Sequence, residues 1–159
     1  MFSQTVEYSL RAVAALAARH DDPMTVEQIS ELAHIPRPYL SKIMQNLVRA
    51  ELVRSQRGRR GGFVLAKLPK ETTIWDIVTA VHPVKHIHSC PLEQEGQRAR
   101  CPLHRRIDQA VQWIEKSFRD TTLQTLIDEC DAHTPLCISV QVENKPAATK
   151  KKRLGSKDS

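Results

Sequence analysis

Residues 25–65 read TVEQISELAHIPRPYLSKIMQNLVRAELVRSQRGRRGGFVL, and their order decides the fold. Thr25 followed three residues later by Gln28 is a capping box, in which each side chain accepts from a backbone N–H of the other. Val26, Ile29, Leu32 and Ala33 then share one face at helical spacing. His34-Ile35-Pro36 makes a tight turn. The next helix sets Leu40, Ile43, Met44, Leu47 and Val48 on its apolar side, and Arg37, Tyr39, Ser41, Lys42, Gln45, Asn46 and Arg49 on the other. Two short helices joined by a turn, the second with a polar and basic outer face, form the pattern of a helix-turn-helix. From Leu52 to Leu65, two β-compatible runs flank a tip of arginine and glycine. Glycine permits positive φ and close backbone approach, so this stretch predicts a hairpin wing.

Outward from this centre the pattern is helical on both sides. Before it, Thr5 to about Arg19 carries Val6, Leu10, Val13, Ala14 and Ala17 at helical spacing, broken by Asp21-Asp22-Pro23. After it, Thr73 caps a short helix with Asp76 in its first turn. That helix runs through Ile74, Ile77 and Val78 to about Val81, and His82-Pro83 ends it. Residues 85–104 lack periodicity and hold two cysteines and three histidines, so they read as a loop. A longer helix begins near Pro102 and continues past Phe118, with an apolar stripe of Ile107, Ala110, Val111, Ile114 and Phe118 and Trp113 beside it. Such a helix needs something to pack against, and a second copy of the chain is a candidate. A final short helix spans about Thr122–Glu129. The segment from Lys145 is lysine-rich, poor in large apolar residues, and expected to be disordered.

Charge is distributed unevenly. Residues 1–70 carry a net +5, residues 71–144 a net −4, and the tail from Lys145 a net +5. The front is suited to a polyanion and the middle is not. The apolar stretch Ala12–Ala18 is too short to span a bilayer, is preceded by Glu7 and lacks a cleavage site, so no membrane segment or signal peptide is expected and the protein is placed in the cytoplasm. In a reducing compartment, the four cysteines Cys90, Cys101, Cys130 and Cys137 read as metal ligands, redox thiols or core residues.

Arg54, Arg57, Arg59 and Arg60 lie within seven residues, beside Gly58, Gly61 and Gly62. An arginine run is often a solvated turn. Here it links two β-compatible segments directly after a helix-turn-helix. The planar, always charged guanidinium suits phosphate oxygens and the electronegative minor groove of double-stranded DNA. Arg37, Tyr39, Ser41 and Lys42 are the expected DNA-facing residues of the second helix.

The segments Ser3-Gln4-Thr5-Val6-Glu7-Tyr8-Ser9-Leu10-Arg11-Ala12, Pro38-Tyr39-Leu40-Ser41-Lys42-Ile43 and Arg57-Gly58-Arg59-Arg60-Gly61-Gly62-Phe63, with Trp75-Asp76-Ile77 and Cys101-Pro102-Leu103-His104, resemble in this order the Rrf-two family of winged-helix transcription regulators, the family of IscR, NsrR, RirA and CymR. The resemblance covers roughly residues 1–130. It implies a mainly α fold with a small β-hairpin wing, namely a winged helix-turn-helix followed by a long dimerisation helix, acting as a homodimer on a DNA operator. The organisation expected is a DNA-binding domain over 1–82, a cysteine-containing sensor loop over 83–104, the dimerisation and C-terminal helices over 105–144, and a disordered basic tail over 145–159.

Many members of that family carry an iron–sulfur cluster in the loop before the long helix, usually on three cysteines. Here that loop holds Cys90 and Cys101, with no cysteine among the ten residues between them. Two thiolates can hold a small cluster, of the 2Fe–2S type, if nitrogen or oxygen ligands complete it. His104 lies one helical turn after Cys101 and matches a histidine of cluster-binding relatives. Glu7 matches an acidic first-helix position that completes the cluster across the dimer in others; its plain alternative is a solvated carboxylate. His34 is a further candidate ligand or simply a surface residue. His86 and His88 read as solvated loop residues, and Cys130 and Cys137 as small half-buried ones. The function expected is a repressor whose DNA affinity is set by a cluster sensing redox state, nitric oxide or iron. The alternative is a cluster-free regulator of the same fold that responds through thiol oxidation or a protein partner. A zinc site on the same residues is a third possibility. An enzyme with Cys101 as nucleophile and His104 as base lacks an orienting residue and an oxyanion feature, and is not expected.

Overall fold

A computed structural model describes residues 3–19, 22–58, 61–84 and 101–129. Arg59, Arg60, His86, His88, Cys90, Cys130, Cys137 and the lysine-rich tail lie outside the described residues. The elements are α1 (Gln4–Ala18), α2 (Val26–Ala33), α3 (Arg37–Arg49), β1 (Val53–Gln56), β2 (Gly62–Leu65), a 3-10 turn (Pro69–Glu71), α4 (Ile74–Val81), α5 (Pro102–Asp120) and α6 (Leu123–Asp128). The winged helix-turn-helix expected from residues 25–65 is thus present, with the two-stranded hairpin following α3.

Local signals explain where the helices start. In α2, the Gln28 N–H donates to the Thr25 hydroxyl at 3.3 Å and the Thr25 N–H to the Gln28 side-chain oxygen at 2.8 Å. Thr73 and Asp76 make the same reciprocal pair at α4, at 3.1 and 3.0 Å. Between α2 and α3, His34 takes a left-handed backbone with φ 51°, and Ser30 donates its hydroxyl to the Ile35 carbonyl at 2.6 Å, which closes the turn. Pro36 and Pro38 stand at the start of α3, where a missing N–H costs nothing because no intrahelical partner exists there.

α1 is the hub of the domain. Ala12 to Ala17 are all buried, and α1 contacts α2, α3, α4, β2 and α6. The core around it contains Leu16, Ile29, Leu40, Met44, Leu47 and Ile77, and it also takes in Leu123 from α6. A second cluster joins Val6, Ile74 and Val78, with Phe118 and Leu126 against it. The start of α6 is clamped to the start of α4: the Ile74 N–H donates to the Thr121 carbonyl at 3.0 Å and the Leu123 N–H to the Thr72 carbonyl at 2.8 Å.

The hairpin is antiparallel, with Val53 opposite Leu65 and Gln56 opposite Gly62. It carries an additional backbone tie that periodicity did not reveal. Met24 and Phe63 exchange both N–H···O bonds, at 3.0 and 2.8 Å, which docks β2 onto the residue just before the α2 cap. A Cβ on Gly62 would lie 2.6 Å from the Met24 carbonyl oxygen, so this contact requires glycine. At the tip, Gly58 has φ 118°, a conformation that residues with side chains rarely adopt.

The apolar stripe expected along α5 divides in two. Phe118 is half-buried against the second cluster, and Val111 is half-buried on the same side as buried Asp108, while Ile107, Ala110 and Ile114 are exposed with Leu103 and Trp113. The two sets sit on adjoining sectors of one helix, and α4 receives Phe118 through Ile74 and Val78. At the far end of α5, Arg119 lies over the Trp75 ring at 5.3 Å and donates to Glu115 at 2.7 Å.

Gly62→Ala should displace β2 from Met24 and lower stability by about 1–3 kcal/mol, the usual penalty for overpacking. Thermal or urea unfolding reads this directly, and an unchanged midpoint would refute the close approach.

Candidate nucleic-acid interface

α3 presents its polar side to solvent. Arg37, Tyr39, Ser41 and Lys42 are all exposed, Tyr39 by 61% despite its size. Ser41 returns its hydroxyl to the Arg37 carbonyl at 3.2 Å. Arg37 stands 3.9 Å from Glu27, on α2. The Glu27 carboxyl is held below the usual carboxylate range by its own backbone N–H first, then by the Thr25 hydroxyl, with the Arg37 charge adding to both. Glu27 therefore stays ionised beside the start of α3.

The hairpin stands next to this helix. α3 and the hairpin form two walls of a cleft of about 470 Å³, floored by Met44, Val48 and Phe63 and rimmed by Ser41, Gln45 and Ser55. Arg54 and Arg57 on the hairpin are exposed. Of the eight residues expected to face DNA, six are described and all are exposed; Ser41 lines this cleft, whereas Tyr39 and Lys42 line a second depression beside Thr5 of α1 and Val81 of α4. Arg59 and Arg60 lie outside the described residues. Gln45 and Arg49, placed by sequence on the polar side of the helix but not among the expected DNA-facing residues, and Ser55, not named at all, also line the cleft; only its opposite wall distinguishes them from any solvated polar residue.

Tyr39 is not isolated. Its ring meets Tyr8 of α1 at 6.3 Å between centroids and 60° between planes, an edge-to-face arrangement. Gln4 donates to the Tyr8 hydroxyl at 2.8 Å, and the Arg11 guanidinium lies 6.0 Å from the Tyr8 ring centroid. Arg11 also pairs with Glu7 one turn before it.

Of the candidate metal ligands, two are adjacent. Cys101 is the N-cap residue of α5, and its Sγ lies 3.0 Å from Nδ1 of His104 in the first turn. Both are partly buried. Glu7 is exposed and bound to Arg11, and His34 is exposed at the end of α2. Among the described residues of one chain, no group of three or more histidine, cysteine or carboxylate side chains could hold a metal ion. Among those residues there is also no helix long and apolar enough to cross a membrane.

The profile of the Rrf2 family, described as an iron-dependent transcriptional regulator, matches residues 2–129. A helix-turn-helix-type transcriptional regulator of Aquifex aeolicus is 36% identical over 137 residues, spanning 84% of this chain and 95% of that protein. An Rrf2-like regulator of Rhodobacter capsulatus is 32% identical over 132 residues, spanning 80% and 85%. Among solved structures, CymR, the global cysteine regulator of B. subtilis, superposes with a TM-score of 0.66 at 28% identity, covering 82% of this chain and 98% of that one. T. potens IscR superposes at 0.70 and 24%, covering 84% and 91%, which bears on the fold alone. These relatives are regulators, not enzymes. With a winged helix-turn-helix, a basic helix-and-hairpin face and a family match across its described length, the chain belongs to the Rrf2 family of transcriptional regulators.

Proposed function

We propose that the chain is a homodimeric repressor that reads an operator through α3 and the hairpin, and that an iron–sulfur cluster sets its affinity. The observation that carries the DNA reading is the pairing of an exposed polar α3 face with an arginine-bearing hairpin across one cleft. In this reading Arg37, Tyr39, Ser41 and Lys42 enter the major groove. Arg54, Arg57, Arg59 and Arg60 take phosphates or the minor groove alongside.

The dimer reading rests on α5. Leu103, Ile107, Trp113 and Ile114 are exposed by 64, 42, 82 and 40%. An apolar row of this kind on a helix already packed on its other side suits a second copy.

The cluster reading rests on the Cys101–His104 pair. A thiolate and an imidazole nitrogen on one helical turn are donors that suit iron. Cys90 would supply the second thiolate and Glu7 of the partner subunit the remaining ligand. A cluster held there would supply a centre that exchanges electrons and reacts with nitric oxide. The chain does the rest. Cys101 and His104 stand at the first turn of α5, α5 lies on α4, and α4 lies on both α1 and α3. A displacement of that turn therefore reaches α3 through packed helices and resets the spacing of the two recognition helices in the dimer.

A second reading uses the same pair without iron. The 3.0 Å contact places an imidazole on the Cys101 sulfur, where it can take or share the thiol proton. Attack of the Cys101 thiolate on a peroxide, which gives the sulfenic acid and releases hydroxide, would then displace the same turn.

Three outcomes are expected. Arg57→Ala should weaken binding to any duplex and lower the salt slope by about one unit, or cost most on A·T-rich sites if the side chain enters the minor groove. Unchanged affinity and slope in a folded protein would remove the wing from the interface. Ile114→Asp, which puts a charge where roughly 25 cal/mol per Å² of apolar burial is available, should give monomers or insoluble protein by light scattering; a soluble dimer would place the interface elsewhere. Protein purified without oxygen and supplied with iron and sulfide should be coloured. Cys90→Ala or Cys101→Ala should each abolish that absorption, while Cys130→Ala and Cys137→Ala leave it intact. A colourless protein that still binds DNA would transfer the assignment to the thiol reading.

A further inference from the structure

We infer that Tyr8, on α1 and outside the expected DNA-facing set, is a positioning residue for operator reading: its ring holds Tyr39 of α3 in the orientation that meets DNA. The inference rests on the proposed role of Tyr39 as a DNA contact. Three observations carry it. Tyr39 is 61% exposed, so most of its surface faces solvent. Its edge-to-face contact with Tyr8, at 6.3 Å, restrains the ring from the side of α1. Tyr8 is in turn held from two directions, by Gln4 at its hydroxyl and by the Arg11 guanidinium 6.0 Å from its ring centroid. A half-buried ring restrained by two polar side chains, and itself restraining an exposed one, is more than core filling.

The physical consequence is preorganisation. A free tyrosine must lose its χ1 and χ2 freedom on meeting a base or sugar, whereas one held against Tyr8 has already lost part of it. The gain is specific to geometry and not to charge. It therefore acts on the difference between a chosen duplex and an arbitrary one, and leaves the phosphate contribution alone.

A duplex selected from a random pool by the wild-type dimer, and a shuffled duplex of the same composition, serve as probes at several salt concentrations. Tyr8→Leu should lose roughly three- to tenfold affinity on the selected duplex, the size of an aromatic pair. It should change little on the shuffled one and keep the salt slope. Tyr8→Phe, which keeps the ring and its Arg11 contact but loses the Gln4 bond, should recover most of the affinity that Tyr8→Leu loses. In a Tyr39→Ala background, Tyr8→Leu should have no further effect. Equal losses on both duplexes, a loss that persists without Tyr39, or failure of phenylalanine to rescue would overturn the positioning role. Melting temperatures of all variants separate these outcomes from unfolding. If Tyr39→Ala alone leaves the selected duplex bound as tightly as before, the reading of Tyr39 as a DNA contact has failed, and the inference fails with it.

Discussion

The closeness with which other elements approach α1 underlies the rest of the molecule. Ala12, Ala14, Ala15 and Ala17 are buried beside Val13 and Leu16, so α1 meets neighbours around most of its circumference. Alanine has no rotamers to order and keeps helix axes near one another, which lets five elements share one central rod. The angle between α3 and the hairpin, and the seat of α4 beneath α5, are all defined relative to that rod. A larger side chain at Ala14 or Ala15 would disturb the core and the seats of α3 and the hairpin together, because both elements pack on α1.

Much of the fold was legible because its signals are local. The Thr25–Gln28 and Thr73–Asp76 caps, the His34-Ile35-Pro36 turn and the glycine-flanked hairpin each lie within a few consecutive residues, and the structure forms them where the sequence places them. The Met24–Phe63 bridge was not legible, since one residue pairing across about forty others leaves no periodic trace. The stripe on α5 was half legible. Helical spacing identifies Ile107, Ala110, Val111, Ile114 and Phe118 as one apolar sector, but only α4 decides which members of that sector it covers. Leu123 was similarly hidden: a short helix near the end of the chain gives no sign that its first residue completes the central core.

The same distinction governs the site. Chemical type can be read from sequence, as with arginine for phosphate, or cysteine with histidine one turn on for a metal or a thiol reaction. The 3.0 Å pairing of Cys101 and His104 agrees with that spacing because a single helix enforces it. Relations between elements cannot be read in this way. Glu7 has the residue type required of a ligand, yet within its own chain it is bound to Arg11; whether it can serve a metal depends on the geometry of a second subunit. The Tyr8–Tyr39 contact likewise joins two helices 31 positions apart, and nothing in either segment alone signals it.

The Met24–Phe63 tie gives the hairpin an unusual independence. Both of its hydrogen bonds are made by main-chain atoms, and the glycine beside them contributes only the absence of a side chain. The pitch of the hairpin against α3 is therefore written in the backbone, and the identities of the residues at the tip do not enter into it. The base of the hairpin behaves as a fixed hinge plate. A change at exposed Arg57 alters the charge carried near the tip without altering the angle at which the base delivers it, whereas Gly58, at φ 118°, is tied to the turn itself.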